Sequence, residues 1–470
     1  MARGLQQAGL RVCVFDAADR PGGKIQTVRL AGCQIETGPN TLLLNKPALT
    51  SLIHQLGLTP QLIDAAPAAR RRWVYHRDRL CPLPSGPLSA LTSPLLGPRA
   101  IATLAAEFLG LRPGLPAASA SQAAPESVAR FIRRRFGGKV LKTLVEPFLT
   151  GVYAGDVERL EAQAVLGALV DAERQSGSVI RGMLHDARAR RRALASQPPP
   201  DTDAPAAASP KSKRGLRSVT LSDGLQTLPD AMAARLGADL RLGQRVHRVQ
   251  PAPHGGVELL LADGPALHAR HVILAGSAPA NAEVLADWPE THDLRQRMLQ
   301  QEQTSLAVVA LVVPRERIGH RLGGFGFLSA RTSVRHPLRI LGCIFRSEIF
   351  PHTAPPGMAC LVCFLGGAHD PAAVTLADGE LLALCQADLA RTIGLQPDAI
   401  RDHLVRRWQP ALPHLVLGQT ALRQAVRSWS AEKPVSIIGP EMTGPSIGDC
   451  VTVASELASE LVRRLKTPTP

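Results

Sequence analysis

The stretch VCVFDAADRPGGKIQTVRLAGCQIETGPNTLLL, Val12 to Leu44, decides how the rest of the chain is read. Val12–Phe15 is apolar and ends on an acid, Asp16, as a short buried strand would. An acid at the carboxyl end of a second parallel strand is where a dinucleotide fold holds a ribose. Ala17 follows, then a turn carrying Arg20, Gly22, Gly23 and Lys24. Paired glycines let backbone pass close to a pyrophosphate, because no Cβ keeps it away. Thr27–Thr37 reads as a hairpin turning at Ala31-Gly32. Gly38-Pro39-Asn40-Thr41 then leads into a helix over Pro47–Leu56, stopped by Gly57. Gly, Pro and Asn are turn residues in any context. What raises this second turn is its place two elements after the acid.

Working upstream, residues 1–11 read as the tail of a helix, with Leu5 and Ala8 on one side and Gly9 as the stop. A helix that runs straight into a strand needs an earlier strand to complete a βαβ unit. The glycine fingerprint of such a unit belongs about 20 residues before the acid, which in this numbering precedes Met1. The expectation is a nucleotide fold lacking its first strand and phosphate loop, with Met1 as an internal codon as one explanation.

The chain has 470 residues with 45% hydrophobic content, enough for a large core and two or three domains. It has no run of 18 or more apolar residues and no signal-peptide layout at its N-terminus. Its eight cysteines are scattered and mostly in apolar surroundings, as in a cytosolic protein with reduced thiols. Cys360 and Cys363 have ligand spacing, but a strand over Met358–Leu365 would send them to opposite faces. The net charge of +15 is dominated by arginine and fits three partners: nucleic acid, an anionic membrane surface or an acidic small molecule. No nucleic-acid module is visible and aromatics make up 3%, which argues against the first.

Further along, Trp73–Leu83 alternates as a hairpin and five prolines between Pro82 and Pro98 open a loop-rich region. Ala100–Leu111 is a helix that either is buried or lies on a membrane; burial is favoured because a Lys/Arg face is lacking. Glu126 starts a helix with Val128, Phe131, Ile132 and Phe136 on one face, and Val140, Leu141, Leu144, Val145 and Phe148 carry a second. Gly151 and Gly155 flank Tyr153 before Asp156; this suits either a backbone pressed against a flat ligand or a helix C-cap with its loop. Asp171–Ser218 is basic and low in complexity, a loosely held linker by composition. Leu221–Leu236 restarts a helix. Leu240–Val249, Val257–Leu261 and His271–Ala275 read as strands, with turns at Gly255-Gly256 and Asp263-Gly264. Ser305–Val313 and Cys343–Ser347 read as strands of a second sheet, with the aromatic turn Gly323–Leu328 between them. Val435–Ile438 is a buried strand, and Asp449 can cap a helix with Ala454, Leu457, Leu461 and Leu465 on one face.

Arg20 to Thr27, R-x-G-G-K-x-x-T, resembles the second nucleotide motif of amine-oxidase-like flavoproteins. The narrower block ESVARFIRRRFGGKVLKTLVEPFLTGVYAGD, Glu126–Asp156, resembles the oxygen-dependent protoporphyrinogen oxidases, flavoenzymes of haem synthesis. The likeness extends to Gly38–Thr41, Leu221–Met232, Gly324–Leu328 and the C-terminal block.

That resemblance implies an α/β FAD-binding domain (1–56, 216–285 and 430–470) and a mixed-sheet, α+β substrate domain (57–83 and 286–429). It also implies a helical, membrane-facing region over 84–170, leaving 171–215 as a basic insertion. The cofactor is FAD, held by Asp16, Ala17, Arg20, Gly22, Gly23, Lys24, Gly38, Pro39, Asn40 and Thr41. Val246 falls at the adenine end, and Pro440, Pro445, Ser446 and Ile447 on the flavin side. The substrate is a tetrapyrrole lined by Gly151, Phe325, Gly326, Leu328 and Phe364, with Arg79 as the candidate cation for a propionate. A serine–glycine turn of the family is replaced here by Pro440-Glu441-Met442-Thr443-Gly444-Pro445-Ser446. No catalytic acid or base is assigned, because the cofactor carries the hard step. The expected reaction is oxidation of protoporphyrinogen IX, or of coproporphyrinogen III, with oxygen as acceptor. The rivals are a flavin oxidase or desaturase acting on an amine or isoprenoid, and a non-catalytic relative that binds FAD weakly. No nucleic-acid partner is expected; a homodimer and peripheral contact with the cytoplasmic face of a membrane are.

Overall fold

The computed structural model describes residues 1–111, 124–195, 217–262, 264–331 and 336–466. The expectations for Gln197–Pro210, for the basic residues just after it and for the turn at Asp263 lie outside them.

Gln303–Pro314 contains the run SLAVVALVV, apolar on both faces, and such a strand belongs in the middle of a covered sheet. It lies inside, second from one edge, in a seven-stranded sheet ordered Asp402–Pro413, Gln303–Pro314, Met358–Gly366, Gly342–Phe345, Gly326–Ser329, Trp73–His76, Arg79–Pro82. Neighbours pair antiparallel except Gly326–Ser329 with Trp73–His76, which are parallel. Ala307, Val309, Leu311 and Val313 pack with Leu381, Cys385 and Leu389 of the helix Asp378–Ile393. Val308, Ala310 and Val312 pack with Cys33 and Ile35 of the hairpin Thr27–Leu30/Cys33–Glu36. The strand period divides the cysteines the same way: Cys360 joins the hairpin layer and Cys363 the helix layer.

The nucleotide side is built from short parallel pairs. Val14–Phe15 pairs with Leu240–Arg241, and Val272–Leu274 pairs with Val435–Ile437. Among the described residues these stand as two separate sheets, beside an antiparallel meander of Val246–Pro251, Val257–Leu261 and Leu267–Ala269. The helix Ala2–Gln7 packs through Leu5 on Ala458 and Leu461 of the helix Ile447–Lys466. No described helix is long and apolar enough to cross a membrane.

The structure changes several element expectations. The first strand is Val14–Phe15, and Leu240–Val249 is two strands, broken at Gly243 with its left-handed φ of 68°. The helix Pro98–Phe108 is not a buried apolar rod. Phe108, Leu109 and Leu111 are exposed, while Glu107 is buried against Arg135. The charge turned inward because Arg135, on the helix Val128–Phe136, sits fully buried and requires a carboxylate. Val128, Phe131, Ile132 and Phe136 are buried as their spacing predicts; the cap is Ser127, whose Oγ accepts the Arg130 N–H at 3.2 Å. In the next segment, Leu149 rather than Phe148 points inward. The largest change concerns Asp171–Ser218, whose described residues up to Ala195 are mostly helical, while Ser218 opens the strand Ser218–Leu221. Ala162–Ser176 and Val179–Ala195 form a helical pair, and Glu107 accepts N–H bonds from Val179 (2.7 Å) and Ile180 (3.2 Å) at the second helix's start. The arginine-rich composition hid that cap, because its acceptor lies far away in sequence.

Candidate cofactor and substrate site

Asp16 closes the strand Val14–Phe15 in register with Leu240–Arg241. Its N–H donates to the Arg241 carbonyl (3.0 Å) and its carbonyl accepts the Gln244 N–H (3.0 Å). Its exposed carboxylate takes the Ala18 N–H on Oδ1 at 2.9 Å, which bends the chain at Ala17 into the turn. Gly22 and Gly23 have φ of 100° and 54°. A Cβ on Gly22 would sit 2.8 Å from Pro229, whereas none of the surrounding atoms would lie within 4 Å of one on Gly23. The turn therefore offers an open side at Gly23. Arg20 braces it from within: its guanidinium donates to the carbonyls of Gly23 (2.5 Å), Pro21 (3.3 Å) and Ile25 (3.4 Å) and to Gln226 Oε1 (3.3 Å). Burial pulls the Lys24 ammonium down from its ordinary value, and the charge of Glu441 opposes that.

Gly38 meets this turn backbone to backbone, since a Cβ there would lie 1.9 Å from the Lys24 carbonyl oxygen. Pro39 and Asn40 follow, tied down on both sides. The Thr37 carbonyl accepts the Trp408 indole N–H at 2.7 Å, and the Asn40 carbonyl accepts Arg346 Nη1 at 2.5 Å. Arg346 is fully buried and also donates to Glu36 Oε1 and Thr220 Oγ1, each at 3.3 Å, with its guanidinium 4.8 Å from the Phe350 ring centroid. Glu36 accepts the Leu225 N–H (2.9 Å) and the Thr27 hydroxyl (2.8 Å) as well. Burial pushes the Glu36 carboxyl up and the Arg346 guanidinium down; each charge opposes the shift of the other. The Asn40 side chain donates to the Gly38 carbonyl (3.0 Å), and its buried Oδ1 has no partner. Thr41 passes the chain to the strand Leu42–Leu43.

At the C-terminal end, Gly439 (φ 151°) touches the other strand of its pair, because a Cβ there would lie 2.6 Å from the Gly276 carbonyl oxygen. Pro440 opens the short helix Pro440–Thr443, at a position where a missing N–H costs nothing. After Pro445, Ser446 caps the long helix Ile447–Lys466. Its Oγ accepts the Asp449 N–H at 3.0 Å and donates to Asp449 Oδ2 at 2.6 Å. The cap is thus Ser446, with Asp449 as its reciprocal partner and ion-paired to Lys46 at 2.9 Å. Ile447 packs against the Leu49 and Ile53 cluster, and Val246 against the Val249 and Val257 cluster.

In the seven-stranded sheet, Leu328, Gly342, Phe364 and Val308 form one row across four strands. Directly opposed residues share a face, so Leu328 and Phe364 present to the same side with the bare Gly342 between them. Gly151, on the helix Glu146–Tyr153, closes on this row; a Cβ there would lie 2.3 Å from Leu328 Cδ2. Ala154 ends that helix with a left-handed φ of 50°, and its carbonyl accepts the Ala368 N–H at 2.8 Å. Asp156 N–H donates to His414 Nε2 at 3.1 Å, and His414 Nδ1 lies 3.2 Å from Glu302. Gly326 (φ 143°) is required by the sheet: a Cβ would lie 2.2 Å from the Cys343 carbonyl oxygen. Phe325 sits apart from the row, with Ile349 and Phe350, and the cation over its ring is Arg72, 5.1 Å from the centroid. Arg79 is exposed on the edge strand Arg79–Pro82. Sequence reasoning missed Arg72, Arg346, Trp408 and His414. Arg72 was readable as the last of three arginines before Trp73, whereas the others act across hundreds of residues and leave no local pattern.

An exposed carboxylate after a parallel strand, an open glycine turn and an orphaned buried amide oxygen at Asn40 fit a dinucleotide. Comparison with known proteins agrees. A model of the flavin containing amine oxidoreductase family matches residues 1–439, and the chain belongs to that family. Protoporphyrinogen oxidase from the chloroplast of Nicotiana tabacum is 30% identical over 463 residues, covering 95% of this chain and 80% of that protein. Coproporphyrinogen III oxidase of Bacillus subtilis (strain 168) is 28% identical over 470 residues, covering 97% and 92%. Among solved structures, cyclohexylamine oxidase from Brevibacterium oxydans IH-35A shares the fold with a TM-score of 0.68 at 16% identity, covering 99% of this chain and 96% of that one. The chain is therefore an FAD-dependent oxidoreductase. Within the family it falls with the protoporphyrinogen and coproporphyrinogen oxidases of porphyrin biosynthesis.

Proposed function

We propose that this chain oxidises protoporphyrinogen IX to protoporphyrin IX with oxygen as acceptor. The observation that carries the reading is the row Leu328–Gly342–Phe364 closed by Gly151: a flat apolar wall with a glycine at its centre and another facing it. FAD supplies the hydride acceptor when bound. The chain's own residues do the rest. Asp16, Gly23, Gly38 and Asn40 hold the dinucleotide, and Leu328 and Phe364 orient the macrocycle and keep water away. Arg72, over the Phe325 ring, and Arg79 are the cations for the substrate's carboxylates. Coproporphyrinogen III, which carries two more propionates, is the alternative substrate, and the basic chain steers either one.

The test is the purified, FAD-loaded chain assayed by porphyrin fluorescence on both porphyrinogens. A kcat/KM at least tenfold higher on protoporphyrinogen supports the reading; the reverse ratio moves the assignment to coproporphyrinogen. Oxidation of amines only would overturn both. Peripheral membrane contact belongs to the same proposal and is supported by Leu88, Leu109 and Leu111, which are 82%, 62% and 72% exposed on the helical region. Sedimentation with anionic vesicles tests it: failure to sediment removes the membrane and leaves the activity standing.

A further inference from the structure

Glu441 is 1% exposed, yet it lies where a ligand is expected. It follows Gly439, at the carboxyl ends of the parallel strands Val272–Leu274 and Val435–Ile437, whose exits touch through Gly276 and Gly439. Ligands of open α/β sheets seat in the crevice beyond such ends. The carboxylate is fixed there by several groups. Its Oε1 accepts the Gln303 side-chain N–H at 3.3 Å, and the backbone N–H groups of Ala278 and of Glu441 itself favour its charged form. The turn beneath is pinned in turn, because the Glu441 carbonyl accepts Gln419 Nε2 (2.8 Å) and Arg423 Nε (2.7 Å). Lys24 acts on the carboxylate from the glycine turn that follows the other parallel pair, Val14–Phe15 with Leu240–Arg241. The carboxylate thus lies in the field between the two nucleotide-side sheets. Arg423 and the Cys450 thiol are its other charged or titratable neighbours. Burial pushes its carboxyl up, and Lys24 and Arg423 work against that.

A buried carboxylate held at a nucleotide crevice has two effects on a flavin dinucleotide. It repels the pyrophosphate charge and partly offsets the field of the lysine that would attract that charge. It also opposes the negative charge that reduction adds to the flavin. We infer that Glu441 is a built-in like charge of the cofactor crevice, which lowers both the affinity for FAD and the potential of the bound flavin. The inference rests on FAD as the cofactor.

The test uses the full chain stripped of flavin, titrated with FAD by quenching of flavin fluorescence, and the loaded chain equilibrated with redox dyes. E441Q keeps the size and the acceptor oxygen. It is expected to bind FAD about tenfold more tightly, a change of about 1.4 kcal/mol, with a more positive potential. An unchanged or weaker affinity with an unchanged potential would overturn the inference and leave the cofactor reading intact. FAD binding by neither protein would bring down both. K24M provides an arm that needs no change at Glu441. With the charge of Lys24 already partly offset by that of the carboxylate, its removal weakens FAD binding by about threefold or less; a loss of about thirtyfold or more would show the Lys24 charge acting undiminished on the ligand and sink the inference.

Discussion

At the scale of single residues, the site depends on places where a side chain has no room. Gly38 is the sharpest: G38A places a methyl group 1.9 Å from the Lys24 carbonyl oxygen, and neither backbone can yield without breaking its own motif. We expect a loss of about 3 kcal/mol in unfolding free energy, together with loss of flavin absorbance in the purified protein. Denaturant titration and the visible spectrum check this. His271 carries a pH prediction. Burial, helped by Arg464, lowers its pKa to about 4, and its Nε2 lies 2.9 Å from Ser436 Oγ. A depressed histidine stabilises the fold above its unfolded value near 6.5 and loses that contribution as pH falls toward 4. H271Q should therefore flatten the fall of Tm between pH 6.5 and 4, read by thermal melts across that range. The glycine turn and the Gly38 segment were legible in the sequence because their chemistry is local. Arg346 and Trp408 were not, since each reaches its partner carbonyl from more than 300 positions away.

At the scale of elements, apolar spacing located helices and strands well and failed where a polar contact set the outcome. Val128, Phe131, Ile132 and Phe136 show the first case, all four buried as spaced. Glu107 shows the second. It turns the helix Pro98–Phe108 by taking Arg135, the Ser178 hydroxyl (3.1 Å) and the N–H groups that open the helix Val179–Ala195. This one carboxylate converts a segment that composition marks as a linker into a docked helix. Replacing it by alanine removes a carboxylate from the fully buried Arg135, which keeps the Gly177 carbonyl at 3.0 Å and Glu173 at 3.5 Å. We expect E107A to cost about 3–5 kcal/mol and to expose the helix to limited proteolysis within 179–195, whereas E107A/R135M should recover part of the stability.

At the scale of the molecule, the cofactor side and the seven-stranded sheet are joined through Arg346. This residue begins the helix Arg346–Ile349 directly after the strand Gly342–Phe345 of that sheet, and its guanidinium binds Glu36, Thr220 and the Asn40 carbonyl. Removing it strands the Glu36 charge in the interior, so R346M should lose about 3–5 kcal/mol, and flavin should be released in the same transition as the far-ultraviolet circular dichroism. Two separate transitions would show that the halves open independently. This coupling was the least legible part of the fold, because it needs both domains in place before any of its partners meet.

Cys360 and Cys363 are covered on both faces of their sheet, so access divides the thiols elsewhere in the chain. Cys33, Cys81, Cys343, Cys360, Cys363 and Cys385 are buried, Cys13 is exposed, and Cys450 is half-covered beside the Ser446 cap. The chain thus carries its own chemical clock. A thiol reagent should consume Cys13 at once and Cys450 at a rate that slows when flavin occupies the crevice. The remaining six should react together, at the rate at which the whole fold opens.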